Sequence, residues 1–287
     1  MPVIVGVPRS GTTLLRMMID AHPEVAIPPE TGFLPLLADL DPAIDCARAA
    51  GRIITEFHTW PDFQLDPAEL RTTLDRLSPI GPDEATRTFY RLYAERHGKA
   101  RWGDKTPGYD TQLDRIASLL PEARFIHLIR DGRDVMVSVR GLWFRPGDTV
   151  EACARDWASR LARTRVLGSQ VPFYLEIRYE ALVLRPEETL RAVCRFLDLP
   201  FAPSMLTYYT RSAARLDEHQ ARYDADGQLL VSKADRVRNQ RFVMEPPRAD
   251  RIGRWEAELA PDEARRFESI AGEWLDRLGY DRQSGAV

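Results

Sequence analysis

Lysine is scarce in this chain of 287 residues: of its 40 basic side chains only three are lysines, Lys99, Lys105 and Lys233. Arginine carries almost all of the positive charge, and its planar guanidinium binds oxyanions through two parallel hydrogen bonds. Acidic side chains number 43, which gives a formal net charge of -3 at pH 7. A chain this close to neutrality lacks the basic surface that binds nucleic acids, so we expect no nucleic-acid partner.

Cysteine is also scarce. The three cysteines, Cys46, Cys153 and Cys194, are far apart, odd in number and contain no Cys-x-x-Cys pair. This spacing excludes a disulfide framework and a cysteine-based zinc site, and it is typical of a reducing compartment. The sequence has no apolar run of membrane-spanning length and no signal peptide before the strand that begins at Val3. We therefore expect a soluble, cytoplasmic protein without a membrane anchor.

The most informative stretch is residues 3–13, VIVGVPRSGTT. Its first five residues are rich in β-branched side chains and predict a buried strand, and the following Pro8 and Ser10-Gly11 predict a turn. Helical spacing of apolar residues begins at Thr12. A strand, a glycine turn and a helix start leave unpaired backbone N–H groups at the positive end of a helix dipole. The sequence therefore predicts a phosphate-binding loop here.

The spacing of this loop is close to the P-loop pattern of nucleotide triphosphatases, Gly-x4-Gly-Lys-Ser/Thr. Gly6 and Gly11 match that pattern, but Thr12 stands where it needs the lysine that reaches the β- and γ-phosphates. The cation of this loop is Arg9 instead. The difference argues against a kinase that uses Mg-ATP, which stays an alternative, and favours an anion lying across the turn.

Alternating strands and helices predict a single α/β domain over residues 1–287, with three layers and a mostly parallel central sheet. Within it, residues 33–98 are predicted as a helical insertion and residues 208–250 as an irregular flap. A second strand, RFIHLI at residues 124–129, leads into Arg130 and a further helix. Ligands of open α/β sheets bind at the carboxyl ends of strands, so we expect the two corners at one edge of the sheet.

These segments, in this order, resemble the PAPS-dependent sulfotransferases, and within that superfamily the tyrosylprotein sulfotransferase branch; PAPS is 3′-phosphoadenosine 5′-phosphosulfate. The matching segments are GVPRSGTTLLRMMIDAHPEVAIPPET, DKTP, FIHLIRDGRDVMVS, RYEAL and VSK. The resemblance implies a P-loop nucleotide-kinase-like fold and an enzyme that moves a sulfuryl group from PAPS to an acceptor hydroxyl and releases PAP. It implies no metal ion, because the leaving group departs as a phosphate oxyanion, and it leaves a homodimer open.

The resemblance also assigns roles to residues. Glu30 corresponds to the general base that deprotonates the acceptor hydroxyl during in-line attack on sulfur. Arg9, Lys105 and Ser232 would stabilise the charge that develops on the sulfuryl group and on the bridging oxygen. The flap would close over the cofactor. The implied cofactor-binding residues are the loop residues Arg9, Ser10, Gly11, Thr12 and Thr13, the 3′-phosphate pair Arg130 and Ser138, and Tyr179, Lys233 and Arg236.

Simpler interpretations stay open for several of these residues. Glu30 follows two prolines and also fits a solvated carboxylate at a helix start, and Lys105 also fits a surface lysine in a turn. His127 lies between apolar residues in the middle of a strand, so we predict a hydrogen-bonded core histidine and not the base. Trp143 and Phe144 fit an acceptor pocket and core packing equally well.

The acceptor depends on where the sequence departs from the resembled branch. That branch carries arginines just after the catalytic glutamate, which read acidic residues beside the target tyrosine; Gly32 and Leu36 occupy those places here. We therefore predict a small molecule or natural product as the acceptor, with tyrosine sulfation of a peptide or protein as the alternative. A lysine expected after the Ser232 segment is replaced near Glu245. A non-catalytic nucleotide-binding protein is the remaining alternative.

Overall fold

The computed structural model describes residues 1–41, 45–142, 144–224 and 226–282. Its strands and helices follow one another in the order β1 (Pro2–Val5), α1 (Thr12–Asp20), β2 (Val25–Ala26), α2 (Leu34–Ala38), α3 (Cys46–Glu56), α4 (Pro67–Leu77), α5 (Pro82–Arg96), β3 (Arg101–Trp102), β4 (Asp104–Lys105), α6 (Leu113–Leu119), β5 (Arg124–Ile129), α7 (Gly132–Val139), α8 (Val150–Gly168), β6 (Tyr174–Arg178), α9 (Tyr179–Leu184), α10 (Pro186–Phe196), α11 (Tyr209–Leu216), β7 (Arg222–Tyr223), β8 (Leu229–Val231), α12 (Lys233–Gln240), α13 (Trp255–Glu258) and α14 (Pro261–Arg277).

The central sheet has four strands in the order β4-β1-β5-β6, and every neighbouring pair is parallel. Two further strands, β2 and β3, form a separate parallel pair. The segment 101–105 therefore joins the two sheets, because its first half pairs with β2 and its second half with β1. Parallel neighbours end at the same edge of a sheet, so the loops that follow β1, β4 and β5 meet there.

Helices cover both faces of the sheet, which makes three layers. Val3 and Val5 belong to an apolar cluster with α2 to α6, whereas Ile4 between them belongs to a cluster with α1, α9 and α10. Successive strand side chains point to opposite faces, so one short strand supplies both clusters. All three side chains are fully buried, which explains why β1 has no polar face. The predicted three-layer α/β fold with a mostly parallel sheet is confirmed.

Individual elements agree with the sequence patterns to within a few residues. The strand predicted at 124–129 is β5, and the core histidine predicted within it is confirmed: His127 is buried, and its Nδ1 lies 2.6 Å from the hydroxyl of Tyr174. The flap is more regular than predicted, since residues 208–250 contain α11, the β7–β8 hairpin and α12. In the part of the chain that the structure describes, no helix is long and apolar enough to span a membrane.

Candidate functional site

The turn between β1 and α1 forms a cradle for an anion. Gly11 precedes α1 with a φ of 98°, no side chain caps the helix, and its first turn holds no acidic residue. The first backbone N–H groups of α1 therefore have no intrahelical partner and point out of the helix start. A Cβ on Gly11 would lie 2.4 Å from Cδ2 of Tyr179, so only glycine fits there. Arg9, also in this turn, has a left-handed φ of 75°, a strained backbone that is typical of functional sites.

The two strand-to-helix corners meet, as expected from the sequence. Nε of Arg9 donates a hydrogen bond to Oγ of Ser138 at 3.1 Å, and a guanidinium nitrogen of Arg130 donates to the carbonyl oxygen of Arg9 at 3.2 Å. The side chain of Arg9 therefore lies against the α7 side of the site. Residues separated by more than a hundred positions are brought together because β1 and β5 are adjacent and parallel.

Three guanidinium groups are concentrated at this edge of the sheet. Burial, assisted by the nearby charges of Arg130 and Arg251, lowers the pKa of Arg9 to about 10, so the group is still protonated at neutral pH. The guanidinium of Arg130 stacks 4.4 Å from the ring centroid of Tyr179, and its buried Nε has no partner among the described residues. Like charges held this close are typical of a site that takes a phosphate or sulfate group.

The carboxylate of Glu30 is paired with a buried lysine. Nζ of Lys105 lies 2.5 Å from Oε1 of Glu30; the lysine side chain is 2% exposed, and the glutamate side chain is 46% exposed. Partial removal from water alone would raise the pKa of Glu30, but the ion pair outweighs it and leaves that pKa below its usual value. For Lys105, burial lowers the pKa and Glu30 opposes that shift only in part. Glu30 is therefore a carboxylate at neutral pH, and Lys105 is not a surface lysine.

A buried hydrogen-bond network fixes the residue next to Glu30. The hydroxyl of Thr31 donates to Oδ2 of Asp104 at 2.7 Å, and the hydroxyl of Tyr90 donates to the same oxygen at 2.7 Å. The backbone N–H of Thr31 also donates to Oγ1 of Thr106 at 3.1 Å. This network ties the backbone beside Glu30 to the strand that carries Lys105. No sequence pattern indicated this network, although Asp104 is part of the DKTP segment.

The α1 turn, the two corners and Glu30 line one cleft of about 510 Å³, whereas Lys105 is not among the described residues that line it. The predicted site residues that line it are Arg9, Gly11, Thr12, Thr13, Glu30, Arg130, Ser138, Tyr179 and Arg236. Ser10 is buried beneath the loop, where its backbone N–H donates to the carbonyl oxygen of Val7 at 3.1 Å. Phe144 also lines the cleft, and Trp143 lies outside the described residues.

The flap residues are placed differently from the expectation. Ser232 caps α12: its Oγ accepts a hydrogen bond from the backbone N–H of Asp235 and donates one to that carboxylate. Nζ of Lys233 lies 2.8 Å from Oδ1 of Asp217. Neither Ser232 nor Lys233 is among the described residues that line the cleft. The expected convergence of these two residues on the cofactor loop is therefore not seen, because their side chains bind Asp235 and Asp217.

Arg236 does line the cleft, but its guanidinium is already paired. It donates to both carboxylate oxygens of the buried Asp62, at 2.9 and 2.8 Å. Arg222 donates to the same carboxylate at 2.5 Å, and so does the backbone N–H of Gln220 at 2.8 Å. This clasp (Asp62, Gln220, Arg222 and Arg236) fastens the flap to the helical insertion. A direct contact from Arg236 to a cofactor would have to compete with the clasp.

The structure adds residues that the sequence did not reveal. Arg251 lines the cleft and places its guanidinium 3.9 Å from the ring centroid of Phe242, so a cation is present although Glu245 replaced the expected lysine. His219 is 3% exposed and lines the cleft, and its Nδ1 has no partner among the described residues. No motif marked either residue. Both lie in or just after the flap, whose sequence has no sustained periodicity.

Known proteins resemble this chain in sequence and in fold. The model of the family described as "Sulfotransferase family" matches residues 3–203. Protein-tyrosine sulfotransferase 1 of Danio rerio is 28% identical over 291 residues, covering 98% of this chain and 73% of that protein. Protein-tyrosine sulfotransferase of Drosophila melanogaster is 27% identical over 293 residues, and the alignment covers 98% of this chain but 52% of that protein. This chain therefore spans about half the length of the fly relative.

Two solved structures are similar over almost the whole chain. The sulfotransferase domain from the curacin biosynthetic pathway has a TM-score of 0.62 at 22% identity and covers 99% of this chain and 98% of that one. The sulfotransferase domain from the Synechococcus PCC 7002 olefin synthase has a TM-score of 0.62 at 21% identity, covering 99% and 95%. At such identities the likeness concerns the fold, and it confirms the expected P-loop nucleotide-kinase-like architecture.

Proposed function

The chain belongs to the sulfotransferase family, and from this premise we propose that it moves a sulfuryl group from PAPS to the hydroxyl of a tyrosine in a peptide or protein. The relatives from Danio rerio and Drosophila melanogaster are named protein-tyrosine sulfotransferases and align with 98% of the chain. Their names favour tyrosine sulfation, the alternative acceptor class, over the small-molecule acceptor that the sequence predicts.

One observation carries the proposal: the carboxylate of Glu30, which lines the cleft that also contains the start of α1, lies 2.5 Å from the buried ammonium group of Lys105. Glu30 supplies a base, Lys105 supplies a charge that cannot move into solvent, and the α1 turn supplies donors for an anion. Transfer of an anionic group to a hydroxyl needs these three functions side by side.

The residues of the cleft fit PAPS. PAPS, when bound, supplies a sulfuryl group attached to a phosphate that serves as the leaving group. The free N–H groups at the start of α1 and the side chain of Arg9 would hold the 5′ end. Arg130, whose buried Nε has no partner among the described residues, would hold the 3′-phosphate with Ser138. These roles agree with those that the resemblance assigns.

Chelation with EDTA should leave turnover unchanged, which tests the implied absence of a metal ion.

Glu30 would act as the general base. Its side chain is partly exposed to the cleft, and it is deprotonated at neutral pH because of Lys105. It would accept the proton of the tyrosine hydroxyl as the oxygen attacks sulfur. Positioned proton transfer of this kind contributes about 10²- to 10⁴-fold in rate. Lys105 and Arg9 would remain charged and stabilise the negative charge that develops nearby.

Labelled PAPS and two peptides that differ only in tyrosine or phenylalanine test the proposal. We expect label on the tyrosine peptide alone. Glu30→Gln should lower the rate by about 10²-fold or more, while calorimetry shows nearly unchanged PAP affinity, because Glu30 belongs to the acceptor side. Equal labelling of both peptides, or label only on a small-molecule phenol, would contradict a tyrosine acceptor.

A further inference from the structure

The mouth of the cleft is formed in part by an unusually apolar hairpin. Tyr223 of β7 and Leu229 of β8 are cross-strand partners, and both side chains are 57% exposed; Leu230 is 46% exposed. Large apolar side chains that are clustered and left in water mark a surface that binds something. These three residues form the hairpin lip.

The hairpin lip is continuous with the proposed active site. Tyr223, Leu230 and the neighbouring Val231 line the same cleft as Glu30. The lip is also fixed in position, because Arg222, one residue before Tyr223, is held by the clasp on Asp62. An acceptor whose hydroxyl reaches Glu30 would therefore extend past a rigid apolar surface.

The charges beside the hairpin lip oppose an acidic acceptor. Asp224 and Asp226 lie in the turn of the hairpin, where Oδ1 of Asp224 accepts a hydrogen bond from the backbone N–H of Asp226 at 3.0 Å. Arg222 and Arg236, which lower the pKa of Glu30, already share the carboxylate of Asp62. Arg222 and Arg236 thus already bind a carboxylate, whereas the two aspartates of the turn have no cationic partner among the described side chains.

Position 32 cannot supply the missing cation. Gly32 has a φ of 77°, and a Cβ there would lie 2.8 Å from Cε1 of Phe57. Any longer side chain at this position meets the ring of Phe57 and a strained backbone. The other position that follows Glu30 closely, Leu36, is an exposed apolar residue. The cations that lower the pKa of Glu30, namely Lys105, Arg222 and Arg236, all already bind carboxylates, and the hairpin lip offers apolar contact.

We propose that the hairpin lip binds apolar, uncharged residues on either side of the acceptor tyrosine, so that the enzyme selects a tyrosine in an apolar segment over one flanked by acidic residues. This selection rests on the proposed function, which identifies the tyrosine hydroxyl as the group that is modified. The selection adds the chemistry of the residues that flank the tyrosine.

Two sets of peptides test the selection. One set has two peptides of equal length, each with a single tyrosine, which is flanked by leucine and alanine in the apolar peptide and by aspartate in the acidic peptide. The second set has phenylalanine in place of the tyrosine and cannot accept a sulfuryl group. Calorimetry measures binding of the phenylalanine versions to the protein loaded with PAP, and labelled PAPS measures transfer to the tyrosine versions. We expect the apolar peptide to bind at least about tenfold more tightly, since leucine side chains leave water on the lip.

Two variants locate the effect. Leu229→Asp with Leu230→Asp should remove the preference while leaving PAP affinity unchanged. Val166→Asp is the matched control, because Val166 is an equally exposed apolar residue of α8 that does not line the cleft. It should keep the preference of the parent chain.

The outcomes separate the two proposals. Transfer without any preference, or with preference for the acidic peptide, overturns the selection and leaves the proposed function standing. Apolar preference in binding without transfer to tyrosine overturns the proposed function and leaves the selection standing. Failure of both peptides to bind overturns the selection. So does a sedimentation change from dimer to monomer in the double variant, because the lip would then be covered by a second copy of the chain.

Discussion

Nζ of Lys105 lies 2.5 Å from Oε1 of Glu30, although 75 residues separate them in sequence. The pair forms because Lys105 ends β4, Glu30 follows β2, and the segment 101–105 pairs with both β2 and β1. The lysine is almost fully buried, and the carboxylate is half exposed to the cleft. A buried cation thus holds the carboxylate that we propose as the general base in its ionised form.

Replacing the lysine should change the pH dependence of transfer. Burial alone would raise the pKa of Glu30, and Lys105 reverses that shift. In Lys105→Met the carboxylate should therefore be protonated at higher pH, so the acid limb of kcat against pH moves upward from below about 4.5. The rate at the optimum should fall by about 10²-fold, because the charge that we propose to stabilise the transition state is lost. An acid limb that stays in place would show that Lys105 does not control Glu30.

Removing the hydroxyl of Ser138 should weaken binding of nucleotides that carry a 3′-phosphate. This hydroxyl accepts a hydrogen bond from Arg9 and lines the cleft beside Arg130. A hydrogen bond to a charged group contributes about 1.5–3 kcal/mol, so the affinity of Ser138→Ala for PAP should fall roughly 10- to 100-fold. Affinity for adenosine 5′-phosphate, measured in the same calorimeter, should stay nearly constant. An equal loss for both nucleotides would contradict the assignment of Ser138 to the 3′-phosphate.

A methyl group on Gly11 should weaken nucleotide binding in addition to straining the left-handed backbone of the α1 turn. Gly11 and Gly98 have φ values of 98° and 64°; a Cβ on Gly11 meets Tyr179, and one on Gly98 meets nothing within 4 Å. Each alanine variant should lose about 1 kcal/mol of unfolding free energy to the left-handed backbone. Only Gly11→Ala should also displace the Tyr179 ring and lower PAP affinity at least about tenfold. Equal PAP affinity in the two variants would show that the turn does not hold the nucleotide.

Neutralising Asp62 should release the flap. Its buried carboxylate accepts hydrogen bonds from Arg222, Arg236 and Gln220. Asp62→Asn leaves two largely buried guanidinium groups without a counterion, so unfolding free energy should fall by about 3 kcal/mol. Hydrogen exchange of α12 should accelerate, because the clasp ties this helix to the insertion.

An exposed ion pair provides the control for the clasp. Glu273 and Arg277 form such a pair one turn apart on α14. Glu273→Gln should change the unfolding free energy by less than about 0.5 kcal/mol and leave exchange in α12 unaltered. If Asp62→Asn behaves in the same way, the clasp contributes nothing to flap stability.

The sequence determined the fold and one half of the site. The apolar run at 3–7 and the segment RFIHLI are each a strand followed by a cationic turn and a helix, patterns set by residues that are neighbours along the chain. Their meeting at one edge follows from a general rule for parallel sheets, whereas the 3′-phosphate role expected of Arg130 and Ser138 came from the resemblance to the sulfotransferases.

Only the tertiary structure decided the other half of the candidate site. The burial of Lys105 against Glu30 and the capture of Arg236 by Asp62 depend on contacts between distant segments. The same is true of the hairpin lip and of Arg251 and His219 at the cleft. Such contacts depend on how the flap closes onto the insertion, and a long-range closure leaves no periodic pattern in the residues that take part.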